Sequence, residues 1–391
     1  MPVNYQQTRQ QIRDLGKSAQ RLHDQFEAQF QDAEKLLQDN ADNLSELIIR
    51  AEIAREKNKN FRCAIPAGEP LTQAYPLPET ENTCVLLAAD GSQINPDRHA
   101  QVEFGLINIG VIRMQPGSGI TPQTFTSSTL LGEDYFHRTG DPIGEELIAL
   151  ERDLNERKKL AELAENESDT VIALTDGPLE LYREPHQKSK FYEDKFKEYL
   201  DTLLKLGSLN AIPAGYVDKP RADLVIRMLG LLLTPQDDLG KANHKKFFSQ
   251  IADVHLFAQL LPPESRSPIF GIQSPSASRY KDDLALHFFY LNVGRENDPS
   301  LARVEIPQWV AGSPAMINLL HAALIQECRQ MGSRPYPYTL HRAHEVALVT
   351  FSEKEQLMQM IIAELSRLGV PISKISSKQF HKNITGNRTR L

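Results

Sequence analysis

The stretch Val85–Ala100, VLLAADGSQINPDRHA, runs five apolar residues straight into Asp90, Gly91 and Ser92. A short apolar run bounded by turn formers predicts a strand covered on both faces, and the ends of such strands are where α/β folds place their chemistry. Asp-Gly is also an ordinary turn pair, so on this stretch alone a turn and a functional carboxylate both fit. Asp169–Glu180, DTVIALTDGPLE, repeats the theme, with Thr170 to Leu174 leading to Thr175, Asp176 and Gly177. If the two strands are neighbours in a sheet, their carboxylates reach one edge. Two unpaired carboxylates a few ångströms apart repel and desolvate badly, and such pairs commonly serve a divalent cation.

The chain has 391 residues, 40% hydrophobic and 24% charged, the composition of a globular protein with one large core or two ordinary ones. No apolar run reaches the length that spans a bilayer, and MPVNYQQTRQQIRDLGK at the start lacks the apolar core of a signal peptide. The expectation is a cytoplasmic protein with no membrane contact. Cys63, Cys84 and Cys328 are scattered without paired spacing, which argues against a disulfide framework and against a zinc site. The formal charge of −7 gives no global attraction to nucleic acid. A polyanion must therefore meet a local basic surface or a bound cation.

From Tyr5 to Asn58 there is no Pro and no Gly except Gly16, and Leu15, Leu22, Phe26, Phe30, Ala33, Leu37, Leu44, Ile48 and Ala51 recur at spacings of three, four or seven. This predicts a long amphipathic helix or helix pair whose stripe packs on a partner subunit or on the main domain. Residues 1–60 are thus expected as a helical, partner-binding segment, 61–84, rich in Pro and turn formers, as a linker, and 85–391 as the α/β domain. Within it, HAQVEFGLINIGVIRMQPGSG predicts a second strand pair turning at PGSG, and NAIPAGYVDKPRADLVIRMLGLLL a strand, turn and helix. Thr234–Lys245 reads as a polar loop. LHFFYLNVG and LARVEIPQWV read as a hairpin, and LHRAHEVALVTFSEKEQLMQMIIAELSRLG as one helix. The tail from Ile375 carries Lys378, His381, Lys382, Arg388 and Arg390 and no acid.

DPIGEELIALERDLNERKKLAELAENES, Asp141–Ser168, predicts a helix starting near Asp141 and Pro142, with Leu147, Leu150, Leu154 and Leu160 on its apolar stripe. Its glutamates, Glu145, Glu146, Glu151, Glu156 and Glu162, ordinarily form a solvated face. Glu156 lies close to the stripe, two residues past Leu154, with Arg152 one turn upstream. Spacing alone does not choose one of them as a ligand.

Taken in order, AADGSQ, RDLNERKKLAELA, ALTDGPL, AGYVDKPRADLV, RVEIPQWV and YPYTLHRAHEVALV resemble the NurA nuclease family from about Val85 to Lys382. DGS alone is weak, whereas the ordered set closing on YPY and AHE is specific. The resemblance implies an RNase H-like α/β fold, a mixed sheet flanked by helices, with a carboxylate cluster that binds manganese or magnesium. It implies a homodimeric DNA nuclease that works with the ring-shaped ATPase HerA in DNA end resection, a 5′–3′ exonuclease that also cuts single strands. Carried over by position, the ligands are Asp90, Asp176, Glu156 (with Glu151 in reserve, because the helix register is the loosest part of the match) and His344, beside Tyr336. Tyr338 and His341 sit close to the last two.

The chemistry agrees independently. Phosphodiester hydrolysis at neutral pH needs a deprotonated water, charge relief on the nonbridging oxygens and help for the leaving alkoxide, which two carboxylate-held cations supply. Bound cations also let an acidic protein hold a polyanion. His344 reads otherwise as an ordinary helix histidine, and Tyr336, between prolines, as part of a rigid turn. Lys219, Arg221, Arg266, Lys378 and Lys382 are candidates to line a nucleic-acid path, against the alternative of plain solvated surface. A noncatalytic adaptor docking on an ATPase ring and an RNA-directed nuclease of the same fold are the rival readings.

Overall fold

The computed structural model describes residues 4–79, 84–97, 102–132, 135, 145–181, 190–244 and 247–370. It divides into two compact units, Met1–Thr80 with Gly177–Glu180 and Gly215–Tyr336, and Glu81–Asp176 with Leu181–Ala214 and Pro337–Leu391.

In the first unit the N-terminal stripe forms two helices, α1 (Tyr5–Asp39) and α2 (Leu44–Lys57). Asn4 caps α1 by accepting a hydrogen bond from the Gln7 amide at 3.2 Å. Only the C-terminal half of α1 is used internally. Phe30, Ala33 and Leu37 are buried, whereas Tyr5, Ile12, Leu15 and Leu22 are exposed. The buried half meets α5 (Leu224–Gly230) and α6 (Asp253–Leu260), with Phe26 edge-on to His255 at 4.9 Å. From α2, Leu47, Ala51 and Ala54 enter the core, and Arg50 donates to the Leu231 and Thr234 carbonyls just after α5.

Strands β1 (Cys63–Pro66), β7 (Phe270–Gln273), β8 (Leu286–Asn292), β9 (Leu301–Pro307) and the Gly215–Asp218 part of β6 (Ile212–Asp218) follow one another antiparallel across this unit. Phe257 stacks on Tyr290 at 4.9 Å and Phe270 on Phe288 at 5.5 Å, forming an aromatic core under these strands. Asp253, fully buried, accepts hydrogen bonds from the Val225 and Ile226 amides and the Tyr290 hydroxyl, and burial pushes its pKa up to about 6. Helices α7 (Gln308–Ala311) and α8 (Pro314–Gln330) complete the unit. Gly177–Glu180 is tied down here: Glu305 accepts hydrogen bonds from the Leu179 and Glu180 amides, and the Glu180 carboxylate takes both ends of the Arg62 guanidinium. Gly215 is required at this point, because a Cβ would fall 2.6 Å from the Gly177 carbonyl oxygen.

The second unit contains β2 (Cys84–Ile94), β3 (Gly105–Met114), β4 (Gln123–Leu131), α3 (Glu145–Ala164), β5 (Thr170–Asp176), α4 (Lys190–Ser208), α9 (Tyr338–Ala347) and α10 (Phe351–Arg367). Its strands lie in the order β5, β2, β3, β4. β2, β3 and β4 form an antiparallel meander, and β5 pairs with β2 in parallel after the α3 crossover. A mixed sheet of this order flanked by helices is the RNase H-like arrangement. β2 is apolar along Val85–Ala89 because it is covered on both faces, as the opening run predicts.

Five local expectations differ. β2 does not end at Asp90 but runs on through Gly91 and Ser92 to Ile94, because β3 stays paired with it that far. The 61–84 stretch contains β1, and β7 is a strand that no alternation announces. A 3₁₀ helix, Gln236–His244, occupies the expected polar loop. The last predicted helix breaks in two at Thr350, whose hydroxyl accepts from the Glu353 amide while the Glu353 carboxylate accepts from the Thr350 amide. The T-x-x-E spacing of that capping box was the available signal. Asp141 and Pro142, expected at the start of α3, lie outside the described residues. No described helix is long and apolar enough to cross a membrane.

Candidate active site

The parallel register pairs Ala89 with Thr175, so Asp90 and Asp176 stand one residue further on, side by side at the end of β5. Alternation along a strand then sorts the site by face. Asp90 pairs with Gly110 and Ser92 with Asn108, and all four look toward α9. There the Ser92 hydroxyl and the Asn108 amide both donate to the Ala347 carbonyl at the end of α9. Gly110 allows the close approach, since a Cβ would lie 2.6 Å from the Ala347 nitrogen and 2.7 Å from the Ala343 carbonyl oxygen. Docked this way, α9 brings His344 Nδ1 to 2.6 Å from Asp90 Oδ2. Nδ1–H donating to the carboxylate leaves Nε2 as the outward atom of a largely exposed ring. The other Asp90 oxygen accepts from the Gly91 amide at 2.8 Å.

Gly91 faces the opposite way, toward α3. Its missing side chain lets Glu156 come up to the strand: a Cβ there would meet Glu156 Oε1 at 2.8 Å and Arg152 Cγ at 2.6 Å. Glu156 is buried, with only 4% of its surface exposed. Arg157 donates to its Oε2 at 2.7 Å, and Arg152 stands 3.6 Å from Oε1. Glu151, five residues earlier, is turned away and ion-paired with Lys195 at 2.9 Å. Of the two helix candidates, Glu156 is the one that reaches β2.

Burial pushes the Glu156 carboxyl up to about 8; Arg157 and Arg152 oppose this, and the charges of Asp153 and Asp90 add to it. The group therefore takes up a proton more readily than an ordinary carboxyl when no cation is bound. Its folded pKa lies above the ordinary 4.5, so its contribution to stability is complete below about pH 4.5 and is lost as the pH rises through about 8. Thermal unfolding in chelator between pH 5 and 9 checks this. Wild type is expected to lose stability relative to Glu156→Gln across that range, and parallel profiles contradict the assignment.

The remaining sequence candidates are distributed elsewhere. Tyr336 belongs to the first unit, where its ring meets Tyr216 edge-on at 5.5 Å. Lys219 and Arg221 are exposed just after β6, with Lys219 in the left-handed region at φ 45°. Arg266 is not available to a phosphate. It is buried, bonded at both ends to Glu69 at 2.9 and 3.0 Å, and stacked 3.9 Å from the Tyr75 ring centre. Lys378 and Lys382 lie outside the described residues. Arg157, Thr175, Ser92 and Asn108 were missed by the sequence reading, and the run of charges in RDLNERKK beside a leucine stripe was the only hint of the first.

Among the described residues, no three His, Cys, Asp or Glu side chains already form a metal shell. The donor chemistry nonetheless fits a hard divalent cation: Asp90, Asp176 and His344 share one face of the sheet, and Glu156 comes up to β2 from the α3 side with a carboxylate whose charge is disfavoured by burial first and by Asp153 and Asp90 after it.

The sheet order and its flanking helices define a protein of the RNase H-like class, with one aspartate inside β2 and one at the end of β5 beside a buried helix glutamate and a histidine. The NurA domain model matches residues 84–349, more than half of the chain, and the chain belongs to the NurA family. No curated protein sequence matches it. Among solved structures it is similar to the NurA nuclease from Sulfolobus solfataricus, at 14% identity and TM-score 0.46 over 85% of this chain and 97% of that one. It is also similar to the catalytic domain of human Endonuclease V, at 12% identity and TM-score 0.32 over 82% of this chain and 96% of that one.

Proposed function

We propose that this chain is a metal-dependent deoxyribonuclease, a phosphodiester hydrolase acting on DNA ends and single strands. The observation that carries the reading is the meeting of Asp90, on β2, with His344, 254 residues away, beside Glu156 and the neighbouring Asp176. Asp90, Asp176, Glu156 and His344 would hold manganese or magnesium, two ions in the full site, which when bound activate water and relieve charge on the phosphate. The protein's own groups divide the remaining work. Asp90 orients the His344 ring, whose Nε2 is left for the cation or a phosphate, and Arg152 adds positive charge beside Glu156. Tyr336 and the exposed Lys219 and Arg221, with Lys378 and Lys382 of the tail, are proposed contacts for the nucleic acid.

The 5′–3′ polarity, single-strand endonuclease activity, role in resection and double-strand break repair, and cytoplasmic location are part of this reading, as are a homodimer and a HerA-type hexameric ATPase partner. The exposed apolar side chains Ile12, Leu15 and Leu22 of α1 support a protein partner. The test is incubation of the purified chain with end-labelled single- and double-stranded DNA and RNA, with Mn2+, Mg2+ or chelator, with and without the ATPase. Metal-dependent DNA cleavage is expected. No cleavage under any condition assigns a noncatalytic adaptor instead, and cleavage of RNA alone assigns the other rival.

A further inference from the structure

One guanidinium ties the helix carboxylate to the strand that carries Asp176. Arg157 Nη1 donates to Glu156 Oε2 at 2.7 Å and to the Asp153 carbonyl at 3.0 Å, and Nη2 donates to Thr175 Oγ1 at 3.1 Å. Its face lies over the Tyr199 ring of α4 at 5.6 Å. Arg157, Glu156, Thr175 and Tyr199 are all buried, so this arrangement is screened little by water. A buried ion pair adds little net stability, because desolvation offsets most of its attraction. The planar guanidinium fork does fix geometry, and a lysine's single nitrogen cannot occupy both donor positions.

The consequence lies in which oxygen is left. With Oε2 held by Arg157, Glu156 turns Oε1 toward Gly91 within β2, where Arg152 stands 3.6 Å from it. The same guanidinium, through Thr175, fixes β5 at the residue preceding Asp176. We propose that Arg157 is a positioning residue, setting Glu156 to offer a single oxygen to a divalent cation and holding that oxygen in register with the β5 aspartate. Thr175 is the other end of the device, and this role rests on the metal-dependent reading above.

The test uses the full chain and Mn2+ alone, with binding followed by calorimetry and by the loss of the free-ion resonance signal. Thr175→Val removes the hydroxyl and keeps the shape and strand preference. It is expected to weaken Mn2+ binding by roughly tenfold, the usual scale for a lost partner of a metal ligand, while the melting temperature moves by only about 2–4 °C. kcat for DNA cleavage is expected to fall by a similar factor with KM within about twofold, since the device orders ligands and does not touch DNA. Thr175→Ser, which keeps the hydroxyl, is expected to restore both. Arg157→Lys is expected to lose as much as Thr175→Val or more. Wild-type Mn2+ affinity in both Thr175→Val and Arg157→Lys overturns the proposal and leaves the metal-dependent reading standing. Failure of the wild-type chain itself to bind Mn2+ or Mg2+ overturns both.

Discussion

Replacing Asp90 with asparagine is expected to lower DNA cleavage at saturating Mn2+ by at least roughly 1,000-fold, about 4 kcal/mol of lost transition-state stabilisation. Asparagine is the informative substitution because it keeps the hydrogen-bond acceptor that faces His344 Nδ1 and removes only the charge. If Asp90 merely orients the imidazole, Asp90→Asn retains most of the activity; if it is a ligand, Asp90→Asn and Asp90→Ala are equally inactive. Asp176→Asn is expected to behave in the same way, since the register places it beside Asp90 at the strand end. Neither variant should unfold the protein, because removing one of two neighbouring carboxylates relieves repulsion in the metal-free state. Single-turnover cleavage with circular dichroism on the same samples separates loss of chemistry from loss of fold.

The second large effect is expected at the helix. Glu156→Gln should reduce cleavage by at least about 100-fold, and Glu151→Gln should stay within roughly threefold of wild type. Residues five apart on an α-helix point roughly 140° apart, so both glutamates cannot serve one site. In the structure Glu156 lies under Gly91, and Glu151 lies against Lys195. Glutamine keeps an oxygen facing Lys195, so the change at Glu151 is expected to act on stability and not on chemistry. A reversed ranking in parallel kinetic assays moves the ligand to Glu151 and removes the basis for Arg157 as a positioning residue.

The two aspartates were readable from the chain because burial on both faces writes itself as a continuous apolar run, and the Asp-Gly that ends each run is a local event, although β2 itself continues past Asp90 to Ile94. Helix α3 was readable for the same reason, through the spacing of Leu147, Leu150, Leu154 and Leu160. The double helix at the N-terminus followed from its stripe, but the division of that stripe into a buried half at Phe30, Ala33 and Leu37 and an exposed half at Ile12, Leu15 and Leu22 did not. Periodicity reports that a face is apolar, and only the packing against α5 and α6 reports how far along the helix that face is covered.

What only the tertiary structure decided is which groups face one another. The rotation of α3 against β2 brings Glu156, and not Glu151, up to the strand, and it depends on Gly91 having no side chain to hold the helix off. The seat of α9 on Gly110 delivered His344 to Asp90 from 254 residues away. Arg266 reads as a surface cation until Glu69, 197 residues distant, takes its guanidinium inside. Hydrophobic pattern and turn chemistry act between residues a few positions apart, so the chain by itself determined most of the strands and helices and the carboxylates that close the two apolar runs. Charge pairing and close backbone approach act through space, and those were determined only when the sheet and its helices came together.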